Sequence, residues 1–87
     1  MTSAKALIIS ETGLHARPAT LVVSCASKFK SDIKIQKNDK LINGKSILGL
    51  LSLGIVKGEE ITILAEGEDE ADAVAALIAL VEKPFID

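Results

Sequence analysis

Residues 60–81, EITILAEGEDEADAVAALIALV, decide the fold because their hydrophobic period changes in the middle. Before Gly67 the apolar residues occupy alternate positions, which predicts a strand over residues 60–66 with one buried face. After Gly67 the spacing becomes three and four residues, which predicts an amphipathic helix that begins in the acidic cluster at residues 68–70. Pro84 ends that helix. The predicted buried positions are Ile61, Ile63 and Ala65 in the strand and Ala71, Val74, Leu77, Ile78 and Val81 in the helix.

The same two periods divide the rest of the chain into three further strands and two helices. The strands are predicted over residues 4–9, over residues 32–37 and from Leu41 onwards. The turn signal Asn38-Asp39 joins the second and third of them into a hairpin. In the first strand Ala6 and Ile8 share one face, and Leu7 and Ile9 share the other.

The two further helices are predicted over residues 16–29 and 47–53, the second opened by Ser46 and ended by Gly54. The resulting order βαββαβα predicts an α+β fold, in which helices cover one face of a four-stranded antiparallel sheet. We expect one domain over residues 1–87, but the pattern does not determine the order of strands in the sheet.

The composition excludes several classes of function. Of 87 residues, 48% are hydrophobic and 25% are charged, which is typical of a folded domain. Nucleic-acid and membrane-surface binding are not expected. A net charge of -2 does not attract anionic partners, and only two aromatic residues are present to stack on bases. A single cysteine, Cys25, excludes an internal disulfide and is expected to be packed or half-buried. The N-terminus does not resemble a signal peptide, so the cytoplasm is the expected compartment, and the lysines between residues 28 and 45 are expected to be mostly solvated surface.

The only histidine, His15, and the only arginine, Arg17, lie two residues apart at a predicted helix start. Backbone N–H groups in the first turn of a helix lack intrahelical acceptors and attract anions. Pro18 suits the first turn, and the guanidinium can pair with two phosphate oxygens. The positive helix end also favours a neutral, nucleophilic imidazole. We therefore predict a phosphoryl group on His15, bound by Ala16, Arg17 and Pro18.

Alternatively, His15 caps the helix or lies on the surface, because a short motif alone remains a hypothesis. A metal site is not expected, since one histidine and one distant cysteine do not make a ligand set. No cofactor is expected either. A histidine-dependent phosphatase is disfavoured, because such an enzyme needs several basic groups and an acid around the phosphohistidine.

Three ordered motifs resemble the bacterial phosphocarrier family HPr, the histidine-containing carriers of the sugar phosphotransferase system. They are residues 13–19 (GLHARPA), 44–53 (GKSILGLLSL) and 57–63 (KGEEITI), the last running into residues 65–70. The resemblance covers essentially the whole chain. It implies an open-faced β-sandwich, with a four-stranded antiparallel sheet covered by three helices. It also implies that enzyme I, charged from phosphoenolpyruvate, phosphorylates His15 on Nδ1, that Arg17 contacts the phosphoryl group, and that IIA domains of sugar permeases receive it.

The resemblance further implies a regulatory site at Ser46, phosphorylated from ATP by HPr kinase/phosphorylase in bacteria that have it. From the residues alone, Ser46 is a helix N-cap, and the two roles are compatible. A phosphate there would add about two negative charges beside the docking face and repel an acidic partner. Regulatory alternatives to sugar transport are a nitrogen-branch phosphocarrier and a corepressor for a catabolite-control repressor.

The predicted docking surface for partner proteins consists of Ile47, Leu48, Leu51 and Thr20. Residues 47–53 contain more apolar side chains than a short helix can bury on one side. Leu50 and Leu53 are expected to face the core, leaving the others exposed, although all of them could be ordinary core residues. The chain departs from the family at Leu48 and Leu51, where Met or Phe is frequent, which leaves its partner preference open. We expect a monomer.

Overall fold

The structure, a computed structural model, describes the backbone of residues 1–9 and 16–82 and the side chains of residues 1–9 and 19–82. Its helices and strands follow the predicted order βαββαβα. They are β1 (Thr2–Leu7), α1 (Ala16–Ser27), β2 (Asp32–Lys37), β3 (Lys40–Asn43), α2 (Ile47–Ser52), β4 (Glu60–Glu66) and α3 (Glu70–Val81). The predicted fold class is confirmed.

The four strands form one antiparallel sheet in the order β1-β4-β2-β3. The strand β4 is therefore central, with Ile63 opposite Ala4 on one side and opposite Ile35 on the other. Alternate residues of β2 and β4 face the helices and are buried, as their period-2 pattern predicted. The helices α1 and α3 pack against each other, and α3 contacts β1 and β4.

The first strand is shifted from its predicted position, since β1 covers Thr2–Leu7 rather than residues 4–9. Its predicted faces are nevertheless correct, because Ala6 and Ile8 are buried while Leu7 and Ile9 are exposed. Pairing continues past the strand end. The N–H of Ile8 donates to the carbonyl of Glu59 at 2.9 Å, and the carbonyl of Ile8 accepts from the N–H of Gly58 at 2.8 Å. A turn rather than a strand supplies these last partners, so the strand ends before the apolar pattern does.

Two helices also differ in detail from their predictions. The helix α1 ends at Ser27 and not at residue 29, because the N–H groups of the next two residues bond to carbonyls three positions back, which tightens the end. In α3, Ala71 is exposed although it was predicted to be buried, and Ala73 is buried instead. The buried face of α3 is thus rotated at its first turn, while Val74, Leu77 and Val81 are buried as predicted.

The helical layer and the sheet are joined at one end by Asp69, the residue before α3. Its carboxylate accepts hydrogen bonds from the backbone N–H of Lys30 at 2.9 Å, from that of Ser31 at 3.0 Å, and from the Ser31 hydroxyl. These donors, the hydroxyl first, hold the pKa of Asp69 below its usual value of 3.8. Asp69 therefore ties the start of α3 to the connection between α1 and β2.

We expect the Asp69→Asn variant to lose part of the acid dependence of stability. A carboxyl whose pKa is lower in the folded than in the unfolded state stabilises the fold above the unfolded pKa of about 3.8, and this contribution disappears as the pH falls through the folded value. Urea unfolding followed by circular dichroism between pH 7 and pH 2 measures the effect. The matched control is Asp72→Asn, in the first turn of the same helix. If the free energy of unfolding falls equally between pH 7 and pH 2 in the Asp69 variant and the wild type, this role is contradicted.

Candidate functional site

The helix α1 begins at Ala16, as predicted, so its first residue directly follows His15. No acidic residue lies in the first turn of α1, and its first-turn N–H groups have no intrahelical acceptors. His15 itself and the side chains of Ala16, Arg17 and Pro18 lie outside the described residues. Their roles in carrying and binding a phosphoryl group therefore remain predictions.

Ser46 is the N-cap of α2, which confirms the structural half of its prediction. Its backbone is extended, with φ -113° and ψ 117°, and its Oγ accepts a hydrogen bond from the N–H of Gly49 at 3.1 Å. Its carbonyl accepts from the N–H of Leu50, also at 3.1 Å. The side chain is half-buried. Ser46 thus supports the start of a six-residue helix that is too short to be stable alone.

The outer side of α2 is apolar and exposed. Leu48 keeps 81% of its surface exposed, and Ile47 and Leu51 keep 39% and 38%. Leu50 and Leu53 are buried at 0% and 5%. The predicted division of this helix into core and exposed leucines is confirmed, whereas the docking role of the exposed ones remains a prediction.

Other exposed positions complete this picture. Thr20, which we also predicted to be part of the docking surface, is exposed on α1. Leu21 and Val56, which the sequence did not lead us to expect on the surface, are also exposed, at 45% and 56%. Met1 and Leu41 are exposed as well, at 73% and 54%, directly before β1 and within β3.

The spacing of the buried residues Ala19 and Val22 could have predicted the exposure of Leu21. With 3.6 residues per turn, a residue between these two positions lies on the outer side of the helix.

Two lysines hold the ends of the α2 segment, although both were expected to be mostly solvated. The ammonium group of Lys45 donates to the carbonyl of Phe29 at 2.8 Å. That of Lys37 donates to the carbonyls of Leu53 and Gly54 at 3.0 and 3.1 Å and pairs with Glu59 at 2.9 Å. Sequence periodicity carries no signal for such contacts, because the acceptors are backbone carbonyls far along the chain.

The Lys37–Glu59 pair also organises the loop after α2. The Oε1 atom of Glu59 accepts from the backbone N–H of Val56 at 2.8 Å. The Lys37 ammonium and then this N–H hold the pKa of Glu59 below its usual value of 4.5. The apolar side of α2 is therefore presented by a helix that is held at its start by Ser46 and at its end by Lys37.

Comparison with known proteins assigns the family. The model of the family described as "PTS HPr component phosphorylation site" matches residues 2–83 of the chain. The chain belongs to the HPr family. Solved structures agree over nearly the full length. HPr-C-His from Thermoanaerobacter tengcongensis is 48% identical with a TM-score of 0.91, covering 94% of this chain and 92% of that one.

Two further relatives show the breadth of the HPr family around this chain. The phosphocarrier protein HPr from Bacillus anthracis is 44% identical with a TM-score of 0.89, over 92% of this chain and 95% of that one. Crh from Bacillus subtilis, described as a catabolite repression protein and a domain-swapped dimer, is 42% identical with a TM-score of 0.78 over 100% of both chains. Among the described residues of this HPr-family chain, no helix has the length and apolar character needed to cross a membrane.

We expect Ser46→Ala to destabilise this HPr-family chain by about 1 kcal/mol, because the N–H of Gly49 loses its side-chain acceptor. Ser46→Asp should retain most of the stability, since aspartate is an equally good N-cap. Urea unfolding followed by circular dichroism measures both variants. The control is Ser24→Ala, at an exposed serine within α1. A Ser46→Ala variant as stable as the wild type would contradict the capping role.

Proposed function

We propose that this chain is a phosphocarrier of the phosphoenolpyruvate-dependent sugar phosphotransferase system, acting in the cytoplasm. His15 accepts a phosphoryl group from enzyme I and passes it to IIA domains of sugar permeases. The observation that carries the proposal is the start of α1 immediately after the only histidine, with the only arginine in its first turn and no acidic residue there. Membership of the HPr family supports it.

The proposed transfer needs a neutral imidazole next to a positively polarised helix end. The lone pair of a ring nitrogen forms the bond to phosphorus while the bond between phosphorus and the donor breaks. The phosphoryl oxygens then face first-turn N–H groups, which act as an anion site without extra charge. Arg17 adds a guanidinium that can bind two of these oxygens. Transfer onward reverses the step, so the chain is a carrier rather than a hydrolase.

The test is phosphorylation by purified enzyme I with labelled phosphoenolpyruvate. We expect one phosphoryl group per chain, labile in acid and stable in base, and no labelling when enzyme I is omitted. Transfer of the label to a purified IIA domain should follow. An acid-stable product, or no labelling by any enzyme I of the source cell, would disprove the carrier function.

We also propose Ser46 as a regulatory phosphorylation site for an HPr kinase/phosphorylase. The hydroxyl lies at the N-terminus of α2, directly before the exposed Ile47 and Leu48. A phosphate at a helix N-terminus is compatible with the helix, because the dipole favours negative charge there. It would, however, place about two negative charges beside the predicted docking surface. We therefore expect Ser46→Asp to slow phosphorylation by enzyme I without unfolding the chain.

The similarity to Crh favours a second candidate function, that of a regulatory corepressor for a catabolite-control repressor. A nitrogen-branch carrier is the other regulatory alternative, and the similarity to Crh does not bear on it. Crh matches the whole chain at 42% identity and is described as a catabolite repression protein. The rates of phosphorylation by sugar-type and by nitrogen-type enzyme I distinguish a sugar-transport carrier from a nitrogen-branch carrier. Repressor binding that requires phosphoserine at Ser46 would identify the corepressor.

We propose the monomer as the carrier form. Two similar structures, of HPr from Thermoanaerobacter tengcongensis and of Crh, are described as dimers. Light scattering over a wide range of protein concentrations tests the proposal. A constant mass of about 9 kDa supports the monomer, and a mass of twice that value contradicts it.

A further inference from the structure

Residues 53–59, which connect α2 to β4, are held from two sides, and the first side is β2. The ammonium group of Lys37 donates to the carbonyls of Leu53 and Gly54 at 3.0 and 3.1 Å and pairs with the Glu59 carboxylate at 2.9 Å. An ammonium group has three N–H donors, so these three acceptors use all of them. Only 17% of the Lys37 side chain is exposed, so water competes little for these contacts.

The second side is the end of β1, where Ile8 is fully buried. The N–H of Ile8 donates to the carbonyl of Glu59 at 2.9 Å, and its carbonyl accepts from the N–H of Gly58 at 2.8 Å. Glu59 therefore bonds to β2 through its side chain and to the end of β1 through its backbone. This double contact couples Lys37 to Ile8.

The connection between the two sides is itself compact. The Oε1 atom of Glu59 accepts from the N–H of Val56 at 2.8 Å, and the N–H of Glu59 donates to the Val56 carbonyl at 3.2 Å. Ile55 is buried in the core with only 2% of its surface exposed. A closely packed segment transmits a displacement instead of absorbing it. A shift at Lys37 should therefore move the backbone that pairs with Ile8.

These contacts hold the chain on both sides of His15 in the sequence. Ile8 lies seven residues before His15, and α1 begins directly after it. The helix α1 packs against α2, and α2 is followed by Leu53, whose carbonyl Lys37 binds. A closed path of contacts thus runs from Ile8 through Glu59 and Lys37 to α2 and on to α1.

We propose that Lys37 and Glu59 are positioning residues for phosphoryl transfer, because their ion pair fixes the end of β1 relative to α1 and so the two ends of the segment that contains His15. The inference rests on the proposed phosphocarrier function. Both residues act through the backbone contacts above and not on the phosphoryl group. A displacement of about 1 Å caused by a remote mutation can slow a reaction by about a hundredfold. Such a displacement lowers the maximal rate of transfer more than it weakens partner binding.

The experiment mixes phosphorylated enzyme I rapidly with increasing concentrations of the full chain. It measures the maximal rate constant of transfer and the half-saturating concentration separately. We expect Lys37→Met to lower the maximal rate constant by about tenfold and to leave the half-saturating concentration within about twofold of the wild type. Lys37→Arg, which restores a positive charge and several donors, should raise the rate constant at least about threefold above that of Lys37→Met.

Variants of Glu59 test the same ion pair from the other partner. Glu59→Ala should resemble Lys37→Met, and the double variant should be no slower than either single variant, because the two residues act as one unit. Glu59→Gln is expected to remain folded, since its amide oxygen still accepts from the N–H of Val56. Without the charge, it should lower the maximal rate constant by about threefold.

The matched control is Lys5→Met, which removes an ion pair of the same kind. The Lys5 ammonium lies 3.8 Å from the carboxylate of Glu60, both side chains are exposed, and neither belongs to residues 53–59. We expect its rate constant to stay within about twofold of the wild type. Urea unfolding followed by circular dichroism checks that every variant is folded at the temperature of the assay.

An unchanged maximal rate constant in Lys37→Met and Glu59→Gln would overturn the proposal. It would also be overturned by losses that multiply in the double variant, by a change confined to the half-saturating concentration, or by a loss that only follows the unfolded fraction without recovery in Lys37→Arg. Failure of the wild type to accept a phosphoryl group from enzyme I would instead disprove the proposed function.

Discussion

Replacing His15 by alanine should abolish phosphorylation by enzyme I, lowering the initial rate by at least about a thousandfold. The expected loss is this large because the chain contains no second imidazole to take over as nucleophile. The thiol of Cys25 is half-buried on α1 and is no substitute, since a thiol accepts the group only as an accessible thiolate. Incorporation of labelled phosphate from phosphoenolpyruvate measures the effect.

The matched control for this experiment is Ser46→Ala, which removes the other predicted phosphorylation site and should leave labelling by enzyme I intact. Equal labelling of His15→Ala and the wild type would show that the carrier residue lies elsewhere. Arg17→Ala should give an intermediate result, because it removes a charged contact to the phosphoryl group but leaves the nucleophile and the first-turn N–H groups. The graded series thus separates the nucleophile from the groups that bind the anion.

Replacing Gly67 by alanine should destabilise the fold by about 2–5 kcal/mol, because it combines backbone strain with a steric clash. Gly67 has φ +152°, and an added Cβ would lie 2.7 Å from the Ser31 Oγ and 2.8 Å from its Cα. Ser31 is buried and its backbone N–H donates a hydrogen bond to Asp69, so it cannot move aside without breaking that contact. Urea unfolding followed by far-ultraviolet circular dichroism measures the loss.

The control that separates strain from the clash is Gly54→Ala. Gly54 has φ +59°, but an added Cβ would meet no atom within 4 Å. We therefore expect Gly54→Ala to cost only about 1 kcal/mol, the usual penalty of a left-handed non-glycine residue. A Gly67→Ala variant no less stable than Gly54→Ala would show that the connection from β4 to α3 can relax away from Ser31.

The short helix α2 illustrates how much of the site the sequence could predict. Seven residues with five large apolar side chains exceed what one side of a short helix can bury, so exposed leucines were predictable. The expected division was also correct, with Leu50 inside and Leu48 outside. The Ser46 cap was predictable because capping is local, between a side chain and an N–H three residues on. The contacts of Lys37 and Lys45 were not, because their acceptors lie 16 or 17 residues away.

By itself, the sequence determined which segments are strands and helices, which sides are buried apart from the first turn of α3, and where the only histidine and arginine meet a helix start. These properties depend on local backbone preferences and on the spacing of apolar residues, which act over a few positions. Only the tertiary structure decided the strand order β1-β4-β2-β3, the link from Asp69 to Ser31, and the packing of α1 against α2. Such contacts join residues that are far apart along the chain, and periodicity reports which face of an element is buried but not which element covers it.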